Sequence, residues 1–239
     1  YKLIGVGTNA KTVKGDGSEY LTAILYMTPY KVMVDGKLFN SCSMAAMASC
    51  IEGCLYTAGR GKFSNVQTAR QRKAEWFYRD RVGFMKQLYH DIQKFSNYCK
   101  KRGIQPCVRL NGTTDIRWEL IPAMPHNKMN IFQEFPEVQF YDYTKIPNRK
   151  VADYPNYHLT WSYSSANPKY EELFWDVIRK GMSVAVVFRK PINMTTWRGY
   201  KVVDGDKDDL RFLDPQSSIV ALYAKGAAKH DSTGFVQDI

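Results

Sequence analysis

The stretch Tyr157-His-Leu-Thr-Trp-Ser-Tyr-Ser-Ser-Ala-Asn-Pro-Lys-Tyr-Glu-Glu-Leu-Phe-Trp-Asp-Val-Ile-Arg-Lys-Gly-Met-Ser-Val-Ala-Val-Val-Phe188 decides the fold class. Its ends, Tyr157–Ser162 and Met182–Phe188, are apolar runs of strand length. Between them, from Pro168 to Lys180, Tyr170, Leu173, Phe174 and Ile178 fall on one face of a helix. Strand, helix and strand in succession predict parallel strands joined by a crossover helix.

The alternation continues in both directions. Tyr20–Met27 reads as a strand stopped by Pro29, and Pro106–Asn111, Val138–Tyr143 and Ser218–Ala224 read as three more, which makes six. From Asn65 to Tyr98 the residues Val66, Ala69, Ala74, Phe77, Phe84, Leu88, Ile92 and Phe95 recur at helical spacing, with Arg and Lys opposite, until Gly103. The expected fold is α/β, a mainly parallel six-stranded sheet or partial (β/α) barrel. It forms a single domain over residues 1–239, with a cysteine-rich loop at about 40–61. Nearly continuous apolar strands agree with burial on both faces.

The 239 residues, 44% hydrophobic and 24% charged, suit a soluble globular chain. No apolar run approaches the roughly 20 residues of a membrane span, and the start lacks the order of a signal peptide, so no membrane role is expected. Against 23 Asp and Glu stand 34 Lys and Arg, a net charge of +11 that favours a polyanionic partner, nucleic acid or nucleotide first. A basic surface that serves solubility alone is the competing reading.

Three of five cysteines lie within thirteen residues: Cys42, Cys50 and Cys54 in Ser41-Cys-Ser-Met-Ala-Ala-Met-Ala-Ser-Cys-Ile-Glu-Gly-Cys-Leu-Tyr56. Clustered thiols in a reducing compartment point to a soft metal, either an iron–sulfur cluster such as 4Fe–4S or zinc. Three ligands without a fourth would leave one iron open to a substrate. The alternative is a buried helical turn, Met44 to Ile51, with inert thiols. Cys99 and Cys107 are read as small core residues.

Polar residues follow several strands, and in parallel α/β folds the carboxyl ends of strands form the active face. Asn111, Gly112, Thr113 and Asp115, then Asp142 to Lys145, then Ser162 and Ser164 are therefore expected to converge on one crevice beside the cysteine loop. Asp115, Asp142 and Lys145 are the catalytic candidates, as acids and base. Asn111, Gly112, Thr113, Ser162 and Ser164 are the candidates for holding a cofactor, and Cys42, Cys50 and Cys54 for holding metal. His158 begins its strand and reads as structural. Val203–Pro215 lacks the glycine and glutamate of a calcium loop and reads as a turn with Asp residues paired to Arg211.

Cys42-x7-Cys50-x3-Cys54-Leu-Tyr, Asn65-Val-Gln-x-Ala-Arg70, Arg109-Leu-Asn-Gly-Thr-Thr-Asp115, Tyr141-Asp-Tyr-Thr-Lys145 and Asp204-Gly-Asp206 together resemble the gene-product-eighty-eight group of bacteriophage proteins. The resemblance implies a viral protein at work in the cytoplasm of an infected bacterium. More distantly, the six strands and the cysteines after the first resemble radical S-adenosylmethionine enzymes. Their usual C-x3-C-x2-C differs from the intervals of seven and three here. That likeness implies an iron–sulfur cluster with S-adenosylmethionine near Asn111, Gly112, Thr113 and Asp115, its ribose nearer Ser162 and Ser164.

The leading expectation is a phage iron–sulfur α/β protein of radical type that acts on a nucleotide or nucleic acid. The alternatives are a non-enzymatic protein that binds nucleic acid or a host protein, and a zinc-dependent hydrolase or nuclease.

Overall fold

A computed structural model describes residues 2–7, 10–17 and 19–239. The strands are β1 (Ile4–Val6), β2 (Tyr20–Leu25), β3 (Lys31–Val34), β4 (Lys37–Asn40), β5 (Gln105–Arg109), β6 (Gln139–Thr144), β7 (Tyr157–Ser162), β8 (Val184–Phe188), β9 (Thr196–Trp197), β10 (Tyr200–Asp204), β11 (Ile219–Tyr223) and β12 (Val236–Gln237). The helices are α1 (Ala10–Gly15), α2 (Ser64–Arg79), α3 (Arg81–Lys100), α4 (Ile131–Glu134) and α5 (Pro168–Arg179).

All six expected runs form strands, and they lie side by side in chain order, β2-β5-β6-β7-β8-β11, each parallel to the next. Among the described residues the sheet nevertheless holds ten strands rather than six. Antiparallel β1 borders β2, parallel β10 borders β11, two-residue β9 turns back on β10, and β12 pairs with the carboxyl end of β8. These additions are too short, or too polar, to show a period. Among the described residues the edge strands β1 and β9 do not pair, so the sheet stays open rather than closing as a barrel.

Alternation along the strands sorts two faces. Ala23, Leu25, Val108, Leu110, Phe140 and Leu159 turn to one side and pack with Phe77, Phe84, Leu88, Ile92 and Phe95 of α2 and α3. Farther along the same side, Trp161, Val184, Val186 and Ile219 pack with Tyr170, Phe174 and Ile178 of α5. The opposite side carries Thr22, Arg109, Tyr141 and His158 and is covered by the segment around Asp208–Asp214. There Phe212 meets the rings of Tyr20 and Tyr141 at 5.6 and 5.4 Å, and Asp209 pairs with Arg109 at 2.7 Å. Arg211 pairs with Asp208 and Asp214, as its position in the sequence led us to expect.

Two local features differ from expectation. The single long helix is broken at Asp80, whose φ of −135° and ψ of 79° leave the helical region and whose carboxylate accepts from Gly83 N to cap α3. A hairpin, β3 with β4, stands between β2 and the cysteine loop, and it turns at Asp35 and Gly36, both at positive φ.

Candidate active site

The cysteine loop starts where Ser41 N donates to Tyr30 O and Ser41 O accepts from Asp115 N at 2.8 Å, which ties it to the end of β5. One irregular turn follows, with Ala48 N on Met44 O and Cys50 N on Ala45 O, and Ser49 at φ 49° ends it. Ala45 and Ala48 are buried, but Met47 and Ile51 are exposed, so this is not the fully buried turn of the inert alternative. Cys42, Cys50 and Cys54 are half-buried and unpaired by disulfide, whereas Cys99 and Cys107 are buried in the core.

The thiols lie near enough to one another and to Lys145 for a thiolate at any of them to be felt there: Cys54 by Cys42, Cys50 by Cys54, and all three by the lysine. Cys42 Sγ also approaches Ser41 Oγ at 3.8 Å and Thr113 O at 3.9 Å. Burial pushes the Cys42 thiol up to about 12 and raises Cys54, so both hold their protons at neutral pH. Among the described residues no group of three or more His, Cys, Asp or Glu side chains is already arranged around one point as a metal site. Three sulfurs suit a soft metal by chemistry, but its uptake would have to draw them together.

Lys145 stands at the end of β6. Its Nζ donates to Ser162 Oγ at 2.7 Å and to Ser162 O at 3.3 Å, and lies 4.6 Å from the Phe235 ring centroid. Burial lowers its affinity for a proton, while the thiols and Asp115 work the other way. Asp115 accepts from Lys145 N and Thr144 Oγ1, both at 2.8 Å, and stands 3.6 Å from Arg149. The expected convergence of Asp115, Lys145 and Ser162 beside the cysteines is thus present.

Other candidates have structural duties. The Asn111 side chain accepts from Thr114 Oγ1, Ile116 N and Trp118 Nε1 and donates to Ile116 O, which folds the turn after β5 around it. Gly112 is tight against β2: a Cβ there would meet Leu25 O, Ile24 and Tyr26 at 2.7 Å. Thr113 Oγ1 donates to Met27 O, and Ser164 Oγ accepts from Ala166 N. His158 is held neutral, its pKa lowered to about 4 by burial and by Arg211.

Asp142 is buried, accepting from Asn111 N at 2.8 Å and Tyr157 Oη at 3.1 Å, on the face opposite Lys145. Burial raises it to about 7 against the pull of Arg109. An acid whose folded pKa lies above its unfolded value adds stability that is full below about 4 and lost as pH rises through about 7. Asp142→Asn is therefore expected to look most damaging at pH 4 and progressively less so towards pH 8. Urea unfolding across that range checks this; a constant difference between the two proteins would refute it.

Nothing local in the sequence marks Arg149 or Phe235, and Arg70 stands out only as the end of the Asn65–Arg70 motif. Arg70 lies 4.7 Å from the Tyr26 ring and 5.3 Å from that of Tyr56, whose carbonyl it binds at 2.9 Å, next to Cys54. Arg149 is buried against Glu119 and Asp115. Phe235, on the segment before β12, packs on Gly53 and the Lys145 ammonium. Among the described residues no helix is long and apolar enough to cross a membrane. A family model described as Gene product 88 matches residues 3–239. No curated protein and no solved structure matches.

Proposed function

The chain belongs to the gene product 88 family of phage proteins, and for this member we propose a viral α/β enzyme with a thiolate-bound iron–sulfur centre on Cys42, Cys50 and Cys54. The observation that supports this is the placement of three cysteines of one loop within electrostatic range of Lys145, with Cys42 Sγ 3.9 Å from Thr113 O after β5. A cluster held there would supply one-electron chemistry.

The chain's own residues prepare the place. Lys145, held by Ser162 and faced by Phe235, offsets the negative charge of thiolates. Asp115 fixes the lysine's backbone and is itself held by Thr144 and Arg149. Cys42 and Cys54 must give up protons to bind metal, so loading should rise with pH. Asn111, Gly112 and Thr113 have their polar groups engaged or enclosed, and they offer no free donor to S-adenosylmethionine. The thiolate centre is therefore the whole of the proposed cofactor site.

Iron and labile sulfide measured on protein purified without oxygen test this. The expected result is iron with matching sulfide in the wild type and a loss on the order of tenfold or more in Cys42→Ala, Cys50→Ala and Cys54→Ala. Stoichiometric zinc would replace the redox centre with a hydrolytic one. Metal-free protein would remove the centre altogether.

A further inference from the structure

The cysteine loop continues into the 3-10 turns Leu55–Thr57 and Gly59–Lys62. Against them packs a third turn, Gly226–His230, at the far end of the chain: a Cβ on Gly226 would touch Ala58 at 3.4 Å, and Ala228 and Phe235 line Gly53. These turns form a rim at the carboxyl ends of the strands. The rim exposes Arg60, Lys62 and Lys229, none of which pairs with a carboxylate among the described residues, whereas neighbouring Lys225 is held by Asp206 at 2.6 Å. Phe63 is 52% exposed, and Lys62 Nζ lies 5.9 Å from its centroid. Beside it runs an open groove of about 450 Å³ along α2, lined by Tyr56, Gln67, Thr68, Gln71, Arg72 and Glu75.

Unpaired cations next to an exposed aromatic ring and a groove rich in amides are the parts of a single-strand nucleic-acid surface. Phosphates meet the cations, and bases stack on the ring. The chain's net charge of +11 gives the same polarity at long range. We infer that the rim formed by Arg60, Lys62, Phe63 and Lys229 binds single-stranded nucleic acid beside the cysteine loop. The inference rests on that loop being the working site, and it names the substrate class.

The test is fluorescence anisotropy with a labelled oligothymidylate of about 16 nucleotides, the upper end of the range that single OB folds cover, titrated at several salt concentrations. Arg60→Glu with Lys62→Glu and Lys229→Glu is expected to weaken binding roughly tenfold or more and to reduce the slope of log affinity against log salt by about 2, for three phosphates lost. Phe63→Ala is expected to weaken it roughly tenfold as well. Lys100, Lys101 and Arg102 lie at the opposite end of the sheet, just before β5, and supply the control. Reversing them should leave affinity unchanged; an equal loss there, absent binding by the wild type, or tighter binding to a duplex each overturns the inference. Repeating the titration on Cys42→Ser with Cys50→Ser and Cys54→Ser separates the two proposals, since that protein should keep the oligonucleotide even where it holds no iron.

Discussion

Arg149→Met is expected to destabilise the protein by about 3–5 kcal/mol, the usual cost of removing one member of a buried ionic group. The Arg149 side chain is fully buried. Its Nε and one terminal nitrogen fork onto the two oxygens of Glu119, at 3.0 and 2.5 Å. That nitrogen also donates to Tyr157 Oη at 2.9 Å, and the tyrosine hydroxyl donates in turn to Asp142 Oδ2 at 3.1 Å. The other terminal nitrogen faces Asp115. Methionine fills much of the volume but leaves two carboxylates in the interior without their cation, so the loss comes from stranded charge more than from packing. Against a total stability of about 5–15 kcal/mol for ordinary domains this is a large fraction. Urea unfolding is the measurement. Arg149→Met with Glu119→Met should recover part of the loss, because one stranded charge goes with its partner. A cost below about 1 kcal/mol for the single change would show that the group contributes little. The site should respond too: Asp115 holds Lys145 N, so a shift of Asp115 moves the lysine away from Ser162.

The second large effect is expected at Gly61. A Cβ there would fall on the carbonyl oxygen of Tyr56 and within 2.9 Å of Arg70. The carbonyl is backbone and is held by Arg70, so neither neighbour can swing aside cheaply. Gly61→Ala should therefore push apart the two turns after Cys54. The expected cost is about 1–3 kcal/mol, as for other overpacked sites, together with loss of any metal that depends on the position of Cys54. Gly17→Ala is the matched control, since nothing lies within 4 Å of its added carbon. Thermal unfolding of both proteins decides it, and equal melting temperatures would refute the clash.

The strands that could be read from the sequence are those with both faces covered. Val184-Ala-Val-Val-Phe188 and Ile219-Val-Ala-Leu-Tyr223 are apolar throughout because α5 lies on one side and other side chains on the other. β1, β9 and β12 have only two or three residues, and β10 mixes Lys201 and Asp204 into its length, so no period could be seen. The β3–β4 hairpin did carry a signal, Asp35-Gly36 between apolar pairs, and it was there to be used.

For the site, position at strand ends was enough to bring Asp115, Lys145 and Ser162 together. It could not tell which polar side chains would be consumed by the fold. Asn111 looked like a ligand group and proves to be the hub of its own turn. The pairing of Arg109 with Asp209 spans 100 residues, and nothing local to either marks it.

The order of strands in the sheet also bears on how the chain can assemble. Apart from the separate β3–β4 hairpin, the strands β2, β5, β6, β7 and β8 each add beside the previous member of that series, so structure can accumulate at a moving edge as the polypeptide leaves the ribosome. β12, made last, returns to pair with β8, and β10 is made before β11 but lies outside it. Until Ile219–Tyr223 is in place, Tyr200–Asp204 has no parallel partner and must wait with that side open. Lys201 and Asp204 supply charge that guards such an edge against pairing with another copy. The step most exposed to misassembly is therefore the insertion of β11 between two strands already formed.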